Sequence, residues 1–150
     1  MSQSLAQVYV HLIFSTKRRA PLLVPEIRED LRAYFGGVLR KMKCPALAVG
    51  CVSDHVHILF AQYKTAALDK VVQEAKVATS IWLKTRDSRL HRFGWQNGYG
   101  AFSVSASRRD AVIRYIQSQE QRHAKTTFQE EFRRFLAEYR VEYDERYVWD

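Results

Sequence analysis

Ser53-Asp54-His55-Val56-His57-Ile58-Leu59-Phe60 is the stretch from which the fold of this chain can be read. Val56, Ile58, Leu59 and Phe60 are β-branched, aliphatic or aromatic, so the stretch reads as a strand. Side chains on a strand alternate faces, which puts His55 and His57 on the same one. Two imidazoles on one face of a stiff element can hold one metal ion. His-x-His is a short pattern, however, and two histidines on a solvated sheet face satisfy it equally well. A second constellation later in the chain is needed to choose.

Outward from this stretch, the elements fall into an order. Ala46 to Val52 reads as a strand, and Ser53-Asp54 as a tight turn into the strand from His55 to Gln62, giving a hairpin. Before it, Pro25 opens a helix in which Ile27, Leu31, Tyr34, Phe35, Val38, Leu39 and Met42 recur at three and four; Pro45 ends it. Gly36-Gly37 weakens that helix and would allow close packing. The opening run Val8 to Thr16 is apolar on both parities, as in a central strand covered on both faces. His11 within it reads as a structural histidine, one that neighbours the pair if the two strands are adjacent. Lys17, Arg18 and Arg19 follow at the strand end, where a loop can present them to phosphates.

Beyond the hairpin, Leu68 to Lys84 reads as an amphipathic helix. Arg89 to Gly100 reads as a loop rich in Gly, Asn and aromatics. Its Trp95 and Tyr99 either stack on unpaired bases or pack beneath the loop. Ala101 to Ser105 is a short strand. Ser107 is the expected N-cap of a helix from Arg108 to about Ala124, and Thr127 with Glu130 fits a capping box opening a last helix to Tyr139. The tail from Val141 to Asp150 is aromatic and acidic and is expected to pack, a partner subunit being one place for it. The order β-α-β-β-α-β followed by helices predicts an α+β, ferredoxin-like split βαβ antiparallel sheet with helices on its faces and further C-terminal helices.

Composition narrows the function classes. The 150 residues are 47% hydrophobic and 13% aromatic, which suits one domain spanning 1–150 with a real core and argues against disorder. No apolar run is long enough to span a bilayer. The first residues carry neither a basic nor an apolar leader segment, so the expected compartment is the cytoplasm, where Cys44 and Cys51 stay reduced. The formal charge is +8. Residues 1–100 carry 15 basic and 7 acidic side chains, and residues 101–150 carry nine of each. The whole excess thus accompanies the His-x-His stretch, pointing to a polyanion, most simply nucleic acid; ordinary solubility charge is the alternative.

The second constellation lies in the helix expected from Arg108. Tyr115 and Gln119 are four apart and share a face. A tyrosine can act as a nucleophile, and a glutamine offers a neutral oxygen to a hard cation. Taken with His-x-His on a strand of a basic split βαβ domain, the pair becomes specific. The chain resembles the single-tyrosine transposases of the HUH endonuclease superfamily, carried by small insertion sequences. The resemblance rests on Tyr9 to Lys17, on Asp54 to Phe60, and on Trp95 to Ser105. It continues with Tyr115-Ile116-Gln117-Ser118-Gln119-Glu120 and ends with Glu142 to Asp150, covering essentially the whole chain.

The resemblance implies a set of roles. His55 and His57 would bind a divalent metal, Mg²⁺ or Mn²⁺, with Gln119 as the third protein ligand. Tyr115 would be the nucleophile. The expected reaction is metal-dependent cleavage and rejoining of single-stranded DNA at the ends of an insertion sequence. It would pass through a 5′-phosphotyrosine link, with recognition of DNA hairpins. The expected assembly is a homodimer in which the tyrosine helix of one subunit can complete the site of the other. Lys17, Arg18, Arg19, Trp95 and Tyr99 are the expected DNA contacts. No base for deprotonating Tyr115 can be named from the sequence. Two rivals stand beside this reading. One is structural zinc on Cys44, Cys51, His55 and His57, whose spacing matches no usual zinc signature. The other is a domesticated relative that binds or processes dispersed palindromic repeats without transposing.

Overall fold

The computed structural model describes residues 2–119 and 125–150. Among the described residues the strands and longer helices are β1 Tyr9–Ser15, α1 Pro25–Lys41, β2 Ala46–Cys51, β3 His55–Ala61, α2 Leu68–Arg86, β4 Gly100–Val104, α3 Arg109–Gln117 and α4 Phe128–Glu138. The strands form one sheet in the order β2-β3-β1-β4, with every neighbouring pair antiparallel. β3 is inserted between β1 and β2, which is the split βαβ arrangement expected from the element order. Among the described residues no helix is long and apolar enough to cross a membrane.

The parity of each strand assigns its two faces. Val10, Leu12 and Phe14 of β1 and Val56, Ile58 and Phe60 of β3 enter one core with Ile27, Leu31, Phe35 and Leu39 of α1 and Val71, Val72, Ala75 and Leu83 of α2. Tyr9, His11, Ile13 and Ser15 point to the other face, as do His55, His57 and Leu59. There α3 and α4 cover the sheet through Ile116, Phe128, Phe132 and Leu136. All seven residues of β1 are buried, as its apolar character on both parities requires.

Gly50 sets how closely α3 can lie. It pairs with His57 across the β2–β3 ladder. A Cβ placed on it would stand 2.6 Å from the carbonyl oxygen of Ile116 and 3.0 Å from that residue's side chain. The helix that carries Tyr115 therefore rests directly on the β2 backbone.

The loop after α2 is tied down rather than open. Trp95 is only 7% exposed. Its ring meets Phe14 and Phe93 edge-on at 4.9 and 4.8 Å, and its indole N–H donates to Thr79 Oγ1 at 3.0 Å. The packing alternative thus describes Trp95, whose ring is committed to the core and is not offered to a base. Gln96 exchanges bonds with the backbone of Ser15. Lys76 Nζ donates to the carbonyls of Gln96, Asn97 and Gly98 at 2.8, 3.1 and 2.7 Å. The tail packs on its own chain. Gly98 N–H donates to Asp150 O at 2.8 Å, and Trp149 lies against Phe128 and Phe132 with the guanidinium groups of Arg19 and Arg133 over its ring.

Two helix starts differ in how they are made. Thr127 Oγ1 accepts the Glu130 N–H at 3.2 Å, as the capping pattern predicts. Ser107 does not cap α3. A 3-10 turn over Ala106–Arg108 moves the helix start to Arg109, and the Ser107 hydroxyl bonds that of Ser105 instead. The expected extension of this helix over 120–124 lies outside the described residues.

Candidate active site and metal centre

β1 and β3 are neighbours in register, with Ile13 opposite His57 and Ser15 opposite His55. His55 and His57 are fully buried and face α3 and α4. Both aim Nε2 at one carboxylate oxygen, Oε1 of Glu131 on α4, at 3.5 Å from His55 and 2.8 Å from His57. The ligand atoms of the three residues all lie within 4.8 Å of one another. Two imidazoles and a carboxylate at this spacing fit a divalent metal ion. The distal nitrogens are also held. His55 Nδ1 meets Asp54 Oδ1 at 2.7 Å, and His57 Nδ1 meets His11 Nε2 at 2.9 Å. Such partners orient a ligating ring and select its tautomer.

The charges in this buried cluster bias each ring. Burial opposes the charged form of His55, but the carboxylates of Asp54 and Glu131 outweigh it and raise its pKa. His11 is driven the other way. Burial and the neighbouring His57 hold it well below its ordinary value, with Glu131 offsetting only part. His11 is therefore a neutral imidazole that can accept a hydrogen bond from His57 Nδ1, while His57 Nε2 faces Glu131 Oε1 as a donor and would give up that proton to ligate a cation.

Tyr115 joins the cluster from α3. Its hydroxyl donates to Glu131 Oε2, the carboxylate oxygen not shared by the histidines. Arg134 Nη2 donates to the same hydroxyl oxygen at 2.9 Å. Burial raises the phenol pKa, and the bond to Glu131 and its charge raise it further; Arg134 and Gln119 offset part of this. A phenol beside an uncompensated carboxylate stays protonated. A divalent cation on that carboxylate would reverse the local field.

The sequence-predicted residues fare differently. His55, His57 and Tyr115 converge. Gln119 is buried one turn beyond Tyr115, where its amide donates to the Tyr115 carbonyl at 3.3 Å. Lys17, Arg18 and Arg19 form a 3-10 turn directly after β1, with Arg18 and Arg19 at positive φ and the Arg19 guanidinium over Trp149. Tyr99 is 37% exposed beside Lys76. The zinc set does not assemble. Cys51 belongs to the α1–α2 core on the opposite face from His57, and Cys44 accepts the Tyr63 N–H. Glu131 and Arg134 escaped the sequence reading. One signal was present for Glu131: it sits among Phe128, Phe132 and Phe135, a carboxylate within the apolar stripe of its helix.

Known proteins share this architecture. A Deinococcus radiodurans R1 protein described as a transposase superposes with a TM-score of 0.62 at 21% identity, over 79% of this chain and 98% of that one. The REP-associated tyrosine transposase, solved bound to a REP hairpin, superposes with a TM-score of 0.59 at 16% identity, over 84% of this chain and 76% of that one. These likenesses show the fold. In sequence, the ISDra2 transposase TnpA of Deinococcus radiodurans is 25% identical over 118 residues, 75% of this chain and 84% of the relative. Residues 4–119 match the family described as "Transposase IS200 like", and the chain belongs to that family of DNA-cleaving, strand-transferring proteins.

Proposed function

We propose that this transposase cuts and rejoins single-stranded DNA through a 5′-phosphotyrosine link to Tyr115, beside a divalent metal held by His55 and His57. The observation that carries this reading is the convergence on Glu131. One carboxylate receives both histidines on one oxygen and the Tyr115 hydroxyl on the other. Glu131 supplies the oxygen donor next to the two nitrogens, and Gln119, one turn beyond Tyr115, would add a neutral one. His55, His57 and Glu131 would hold Mg²⁺ or Mn²⁺, which would supply Lewis-acid stabilisation of the phosphate's developing charge. Two imidazoles suit Mn²⁺ better than Mg²⁺, which prefers oxygen donors.

The chain's own residues do the rest. His11 and Asp54 fix the imidazoles through their distal nitrogens. Tyr115 attacks phosphorus, and the covalent link conserves the bond energy for rejoining. The reaction needs no nucleotide cofactor. The hairpin in the REP-associated neighbour supports hairpin DNA as the partner, and the basic excess of residues 1–100 supplies phosphate contacts. The assembly is a homodimer. A second reading keeps the same chemistry but gives it to the host, for processing dispersed palindromes. The REP hairpin of that neighbour favours it, and several genomic copies with flanking hairpins would exclude it.

The test is a covalent adduct. A pool of single strands, each carrying a hairpin with a randomised flank, is incubated with the protein and Mn²⁺ and run on a denaturing gel. The wild type should retain labelled DNA, and Tyr115→Phe should retain none while still binding. Adduct formed by Tyr115→Phe would remove Tyr115 from the reaction.

A further inference from the structure

Two arginines outside the expected site residues share a groove with Tyr115. The groove encloses about 670 Å³, and Arg108, Tyr115, Arg134 and Glu138 are among the residues lining it. Arg134 follows Glu131 by one turn of α4, so the carboxylate at the histidines and the guanidinium at the phenol come from one helix face. Its Nη2 stands 2.9 Å from Tyr115 Oη. A guanidinium has five donors in a rigid fork, and the tyrosine oxygen takes one. Among the described residues no carboxylate lies in ion-pair range of Arg134 or Arg108, although Glu138 lines the same groove. Arg134 at the nucleophile and Arg108 on the same groove wall, neither with a carboxylate partner among the described residues, form a seat for an anion.

We propose that Arg134, seconded by Arg108, binds the scissile phosphodiester in this groove and holds it in line with Tyr115 Oη. The inference rests on the tyrosine chemistry proposed above and adds a catalytic residue to it. In the step, the Tyr115 Oη–P bond forms and the P–O3′ bond breaks. The electron pair leaves with the 3′-oxygen, which takes up a proton from solvent as the phenol gives one up. Arg134 keeps all its protons, because a guanidinium does not titrate in this range. Its part is to donate to a non-bridging oxygen and to neutralise the charge that builds on the phosphate. Arginine fingers that neutralise a transferring phosphoryl group in GTPases contribute about 10³–10⁵ in rate.

Two measurements test this, one without chemistry. In the presence of a chelator and no metal, binding of a thymidine homopolymer is followed against salt. Replacing Arg134 and Arg108 together by Met should lower the slope of log affinity on log salt by about 0.7, the share of the one phosphate they hold on a single strand. An unchanged slope would overturn the phosphate seat. The second measurement is the adduct rate at saturating DNA with Mn²⁺. Arg134→Met should lose about 100-fold or more, and Arg134→Lys should recover at least about tenfold of that. On a strand whose scissile phosphate is replaced by a neutral methylphosphonate, the wild-type to Arg134→Met ratio should shrink to within about threefold, because no charge is left to neutralise. An equal ratio on both strands would show that Arg134 acts on protein structure alone, and would overturn the proposal. If the wild type forms no adduct on any strand, the tyrosine chemistry fails, and the salt slope alone decides whether the groove binds phosphate. Thermal melts of each variant accompany both measurements. Should Arg134→Met not fold, Arg134→Lys and Arg108→Met carry the same comparisons.

Discussion

Glu131 touches three site residues at once, so its removal separates their roles. Glu131→Gln keeps the shape but gives up the charge. Manganese affinity should fall at least about tenfold, as titration calorimetry would read it. Equal affinity would place the metal elsewhere. His57→Ala should abolish adduct formation and leave hairpin binding largely intact, because phosphate contacts supply most affinity. Matched losses of binding and cleavage in a folded variant would contradict that division. Lys76 offers a pH test away from the site. Burial lowers its pKa from 10.5 to about 8. Between those values the unfolded chain holds a proton that the folded chain has released, so this group makes stability rise with pH across the window. The melting temperature of the wild type relative to Lys76→Met should therefore climb from pH 8 to pH 10, and a falling difference would reverse the sign of the shift. His55, His57 and Tyr115 were legible as residues because strand alternation and helical spacing are local rules. Glu131 was not, because 74 residues separate it from His57 and no local period reports that meeting.

The elements owe their places to apolar parity, and their fine positions to contacts that parity does not encode. β1 and the β2–β3 hairpin follow directly from the runs Tyr9–Ser15 and His55–Ala61. The start of α3 does not, since a serine before a helix suits a cap or a 3-10 turn equally, and here Ser107 takes the turn. Trp95 was ambiguous for the same reason: an aromatic in a Gly-rich loop either packs or reaches out, and only the cavity among Phe14, Phe93 and Thr79 decides. The approach of α3 to β2 rests on Gly50. Gly50→Ala presses a methyl against the Ile116 carbonyl and should cost about 1–3 kcal/mol. At a chain of this length that is roughly 2–4 °C of melting temperature per kcal/mol. Adduct formation should suffer more than stability does, because the displaced helix carries Tyr115. A variant that melts early but reacts at the wild-type rate would show that α3 can shift without moving its nucleophile.

At the scale of the molecule, the basic excess lies in residues 1–100 and the reacting tyrosine in the balanced last third. Binding should therefore be steeply salt-dependent and should favour folded single strands over random duplex at equal salt. Tighter binding to the duplex would overturn the substrate assignment. The tail's attachment to the 96–98 loop, where Gly98 and Gln96 both donate to the Asp150 carbonyl, was hidden from the sequence because both segments look like surface until they meet. Whether two subunits share a site is read by mixing Tyr115→Phe with His57→Ala: trans assembly restores adduct in the heterodimer, and a mixture that stays inactive with heterodimers confirmed excludes it. The central claim, that Tyr115 itself carries the DNA, is tested most directly by mass spectrometry of the trypsin-digested adduct. The account predicts a nucleotide phosphate on the peptide from Tyr115 to Arg122, with fragment ions placing it on the tyrosine. The same mass on any other peptide, or an adduct that survives in Tyr115→Phe, would contradict it.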